Sequence, residues 1–138
     1  MRLSLADRLV GGVALFAVLT GAALAGGAYF NKRSAERRDF AMAITGGNPE
    51  RAEAIIMQFG CGGCHTIPGV TGASGQVGPP LKGISARIYL GGVLANTPDN
   101  MIRWLLDPPA IDPLTAMPAT GISEQQARDI AAYLYQRS

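Results

Sequence analysis

At 138 residues the chain sets a prior of one globular domain. Hydrophobic residues make up 48% and charged residues only 16%, and the net charge of +2 is unevenly spread. Residues 1–38 carry six basic and two acidic side chains, net +4, whereas residues 39–138 carry six and eight, net −2. The larger part is therefore mildly acidic, which excludes a basic stripe for nucleic acid.

Residues 9–30, LVGGVALFAVLTGAALAGGAYF, are 22 positions without a charge. As a helix they measure about 33 Å, close to the thickness of a bilayer core. Arg2 and Arg8 precede them, and Lys32, Arg33, Arg37 and Arg38 follow. A secretory signal cleaved after the ALA at 23–25 is the competing reading. A signal core runs about 7–15 residues. This run continues past that site to Tyr29 and Phe30, which adjoin Lys32 and Arg33 as in an interfacial anchor. The expectation is a single transmembrane anchor over residues 1–31. Charge alone leaves its orientation open, because the flank that follows is the more basic one.

Residues 32–46 read as a linker, polar enough to continue the helix outward until TGGNP interrupts it. A domain is expected over residues 47–138. Asn48 is a good cap and Pro49 a good first residue for a helix carrying Ala52, Ile55, Ile56 and Phe59 as one apolar stripe. Gly60 should stop it. Between His65 and Thr97 the chain is rich in Gly, Pro, Ser and Thr and predicts loops. A second helix starts at Thr97 and Pro98, carries Met101, Ile102, Leu105 and Leu106, and should end before Pro108 and Pro109. The third has a capping-box pair, Ser123 and Gln126, and the stripe Ala127, Ile130, Ala131, Leu134. So small a domain with long loops can barely build its own core, so a large apolar cofactor is expected to complete it.

Both cysteines and the only histidine stand in QFGCGGCHT, at Cys61, Cys64 and His65. A thioredoxin-like pair needs a preceding strand and a βαβ pattern, and neither is predicted. Structural zinc wants four ligands, more than these residues supply. A disulfide across two residues would be a strained, reducible loop. C-x-x-C-H as a covalent haem attachment site uses all three residues: each thiol adds to one porphyrin vinyl group, and His65 binds iron from one face. The chain has no second histidine, so methionine is the natural second axial ligand, the competing reading being an open sixth position. Met1 and Met42 lie by the membrane segment, Met57 is too close to His65 in sequence, and Met101 belongs to an apolar stripe. Met117 stands in the irregular DPLTAMPATGIS between two prolines, and is the expected ligand.

These pieces, CGGCH, VGPPLKGI, MIRWLLDP, TAMP and SEQQARDIAAYL in that order, resemble the class I, single-haem cytochrome c family over roughly residues 47–138. The resemblance implies an all-α, cytochrome c-like fold with three or four helices around one covalently bound haem, here preceded by a transmembrane helix. It implies that the Pro79 carbonyl accepts a hydrogen bond from His65, with Pro80 as the alternative. Leu81 would pack on the ring, and Trp104 near a haem edge or in the core. Arg87 and Tyr89 are weaker candidates to meet a propionate, and Tyr133 should pack between the first and last helices. The family attaches its haem on the periplasmic side, which would put the domain outside the inner membrane. With both axial positions filled, the implied role is electron transfer between a redox donor and acceptor, such as membrane respiratory complexes, and not enzyme catalysis. The alternatives are an integral haem c subunit of a larger oxidoreductase or terminal oxidase, and a small-ligand sensor with a labile sixth ligand.

Overall fold

The structure, a computed structural model, describes residues 5–137. Met1 and Arg2 lie outside the described residues. Helix α1 spans Leu5–Thr45. The polar stretch after residue 30 contains no proline or glycine and continues the helix, which ends where Gly46, Gly47 and Pro49 cluster. The Thr45 hydroxyl donates to Ala41 O at 2.7 Å and accepts from Gly47 N–H at 3.1 Å, closing that end. Val13, Phe16, Leu24 and Phe30 of α1 are exposed, and the helix is long and apolar enough to cross a membrane. Two compact units divide between Glu36 and Arg37. The last turns of α1 belong to the second unit, in which Ala41 and Thr45 are buried.

In the second unit a 3₁₀ turn, Pro49–Arg51, is capped by the Asn48 side chain, which accepts from Glu50 N–H at 3.0 Å, and leads into α2, Ala52–Gln58. Next come a single helical turn, α3, at Cys61–Cys64, and a second 3₁₀ turn at Ile84–Ala86. Strands β1, Tyr89–Leu90, and β2, Leu94–Ala95, pair antiparallel, with Tyr89 opposite Ala95 and Leu90 opposite Leu94. The sequence predicted only loops here, because two-residue strands leave no alternation to detect. Helix α4, Pro98–Leu106, begins at its Thr97 cap. The proline pair after it ends α4 and also begins a further turn, α5, at Pro108–Ile111. There Asp107 caps through Ala110 N–H at 3.2 Å, and proline is at home in a first helical position. Helix α6, Glu124–Gln136, opens on the expected capping box of Ser123 and Gln126.

Helix α6 packs against the Pro49–Arg51 turn, α2 and α4. The three apolar stripes meet there, and Ile56, Met101, Ala127 and Ala131 are at most 1% exposed. The approach is close because residue 47 has no side chain: a Cβ there would stand 2.0 Å from the Arg128 carbonyl oxygen. Asp129, 2% exposed, locks the crossing. It accepts from Asn48 N–H at 2.7 Å, from Arg51 Nε and Nη2 at 2.8 Å each, and from Gln125 Nε2 at 3.1 Å. Burial alone would raise the Asp129 carboxyl. The hydrogen bonds from Arg51, Asn48 and Gln125, with the Arg51 charge, outweigh it and hold the carboxyl below the usual range. Tyr133 is buried, and its hydroxyl donates to Pro68 O at 2.7 Å, so it ties α6 to the loop after His65.

Candidate functional site

Helix α2 stops just before Gly60, and α3 turns the chain so that His65 N–H reaches Cys61 O at 3.0 Å. This turn presents both thiols within one short segment. Cys61 is half-buried and Cys64 exposed, and they are not bonded to each other. Burial pushes the Cys61 thiol up.

Residues 78–81 lie along His65. Gly78 N–H donates to Cys64 O at 2.8 Å, and Leu81 N–H donates to Thr66 O at 2.9 Å. Between these pins, His65 Nδ1 lies 2.8 Å from the Pro79 carbonyl oxygen. A carbonyl only accepts, so Nδ1 carries a proton, and Nε2 is the nitrogen that the contact leaves free. Of the two adjacent prolines, Pro79 is the one at the histidine. The Pro80 carbonyl accepts from the Arg87 guanidinium instead. Gly78 is required by contact: a Cβ there would come within 2.2 Å of His65 Cε1.

Met117 arrives from the opposite direction in sequence, 52 positions downstream of His65. Its loop is shaped by its own turns. Leu114 N–H donates to Asp112 Oδ1 at 3.0 Å, and Met117 N–H donates to Thr115 Oγ1 at 3.2 Å. Met117 is partly buried against the core. A cleft of about 350 Å³ is lined by Cys61, Cys64, His65, Pro79, Leu81, Trp104 and Met117, so the fold brings all seven sequence candidates to one place. Arg87 and Tyr89 line it as well. Met101 reaches it from the core, whereas Met57 is 60% exposed and lies outside it. Trp104 is buried, with Gly91 packed so closely on its ring that a Cβ would fall 2.5 Å from Cη2. Trp104 is thus both a core residue and part of the cleft wall.

Sequence reasoning missed Gly78, Ile84 and Thr120, which also line the cleft. The Thr120 hydroxyl is buried and has no hydrogen-bond partner among the described residues. Its position three residues after Met117 was the only signal available, and a loop threonine is too common to carry one.

A family model, cytochrome c, matches residues 49–138, well over half of the chain. The chain belongs to the cytochrome c family. A curated relative, cytochrome c oxidase subunit 2 of Alkalihalophilus pseudofirmus, is 32% identical over 81 residues, which is 58% of this chain and 23% of that protein. The chain thus matches less than a quarter of that relative's length. Family membership implies haem c and haem-based electron transfer. The residues of this cytochrome c fit that group. The cleft has the size of a ligand site, about 300–1,000 Å³. Two thiols at C-x-x-C spacing stand at its edge, compatible with covalent attachment. The donor set, an imidazole nitrogen and a thioether, suits haem iron. The orphaned Thr120 hydroxyl also lacks a partner that a polar group bound in the cleft would provide.

Proposed function

We propose that this cytochrome c is a membrane-tethered carrier of single electrons, with one haem held through Cys61, Cys64, His65 and Met117. The observation that carries the reading is the shared cleft: His65 and Met117, far apart in sequence, line one apolar cavity beside the paired thiols. Bound haem supplies an iron that takes up and releases one electron. Cys61 and Cys64 would hold the group by thioether bonds, which would keep it from dissociating. His65 and Met117 would be the residues that hold the iron. The Pro79 carbonyl holds the His65 ring in one tautomer and orientation and increases its basicity as a ligand. Leu81, Trp104 and Ile84 give the cleft an apolar lining. His65 is the only histidine, and it is spent on the iron, which leaves no acid–base pair for catalysis.

Helix α1 serves in this reading as an uncleaved inner-membrane anchor, with the haem domain in the periplasm, where c-type haem is attached. Donor and acceptor are redox proteins of the respiratory membrane. Met117→Ala tests the ligand set. The sulfur-to-iron charge-transfer band of the oxidised protein should vanish, and the reduced protein should bind carbon monoxide. A wild-type protein that binds carbon monoxide readily would point to a sensor with an open sixth position.

The similarity to an oxidase subunit favours a second reading, an integral haem c subunit of a larger membrane oxidoreductase. Purification of the native protein in mild detergent separates the two. A free cytochrome supports the tethered carrier, and a stoichiometric complex with other subunits supports the second reading.

A further inference from the structure

Outside the attachment segment, the densest set of side-chain hydrogen bonds next to the cleft centres on Asn96. Its Nδ2 donates to Ile84 O at 2.7 Å and to Arg87 O at 2.8 Å, and its Oδ1 accepts from the Tyr135 hydroxyl at 2.8 Å. Its backbone N–H donates to Ile88 O at 2.9 Å. One side chain therefore fixes the backbone of residue 87 and ties it to α6. Arg87 in turn places its guanidinium on the Pro80 carbonyl.

We propose that Asn96 is a positioning residue for His65, acting through Arg87 and the Pro79–Pro80 pair. The route is short and joins hydrogen bonds to the covalent Pro79–Pro80 link. The peptide between Pro80 and Leu81 is pinned at both ends, by Arg87 on its carbonyl and by Thr66 O on its N–H. The peptide between Pro79 and Pro80 has no N–H, so nothing but its carbonyl can be held by a hydrogen bond. The ring of Pro80 fixes φ and leaves ψ of Pro80 as the one soft rotation between the two peptides, so holding the Pro80–Leu81 peptide narrows the directions open to the Pro79 carbonyl. That carbonyl faces His65 Nδ1 at 2.8 Å. The inference rests on reading His65 as an iron ligand and adds what holds the histidine in its hydrogen bond.

The test is proton NMR on the intact haem-loaded protein, following exchange of the His65 Nδ1 proton. Asn96→Ala should speed this exchange by about five- to tenfold, the scale set by one hydrogen bond. Tyr135→Phe, which removes one bond and keeps the packing, should speed it less, and it keeps the test open if Asn96→Ala folds poorly. The Ile130 amide in the core of α6 serves as the reference for global opening. If His65 exchange is unchanged, or rises only in step with Ile130, Asn96 is a loop staple and the proposal fails. If the wild-type His65 ring protons show no iron-induced shift, His65 is not a ligand, and the site reading falls together with this one.

Discussion

At His65 a single contact orients the ring: the Pro79 carbonyl accepts a hydrogen bond from Nδ1–H, and Nε2 is the nitrogen left for the proposed iron ligation. The contact depends on Gly78, whose missing side chain leaves room for the imidazole. Gly78→Ala should destabilise the haem-loaded protein by about 1–3 kcal/mol, the usual cost of forcing a methyl group into filled space. Denaturant titration followed at the haem absorbance measures it. That Cys61, Cys64 and His65 line the cleft was legible because rare residues stood together, and that Met117 joins them because prolines restrict its loop. Asn96 and Thr120 were not. An amide or hydroxyl in a loop is ordinary until the fold buries it or surrounds it with partners.

Among the elements, the crossing of α6 over the Pro49–Arg51 turn is the firmest joint. Asp129 accepts four hydrogen bonds there. Asp129→Asn should cost about 2 kcal/mol, the scale for hydrogen bonds to a charged group. The share of Arg51 is reduced by its side-chain exposure of 55%. The folded-state value of Asp129 lies below the ordinary value of about 3.9, so its contribution is complete above that pH. It is lost as pH falls through the folded-state value. Urea titrations should therefore show the full gap between wild type and Asp129→Asn at pH 7, closing as the pH drops below about 4. Helices α2, α4 and α6 were readable from their stripes and caps. Asp129 was not, because a charge on a helix usually marks its solvated face, and only the tertiary partners Arg51 and Asn48 N–H, with Gln125, make burial tolerable. The β1–β2 pair escaped for a different reason: two residues per strand carry no period.

For the molecule as a whole, the cleft runs through the middle of a small apolar core. Ile56, Met101, Leu105, Ile130 and Leu134 all face it as well as each other. Without a bound group these side chains line a void, so the protein prepared without haem should lose its cooperative thermal transition and much of its helical circular dichroism. The full chain should stay with the membrane fraction after carbonate washing, and a chain lacking residues 1–31 should not. The wall over His65 is made of groups that already have their partners: Gly78 N–H, the Pro79 and Pro80 carbonyls and Leu81 N–H. Two of its four residues have φ fixed by rings. Dipoles held in this way do not need to turn when the charge beside them changes by one. If His65 holds the iron as proposed, the reorganisation energy should be small on the histidine side, so that transfer should stay fast even when donor and acceptor differ little in potential.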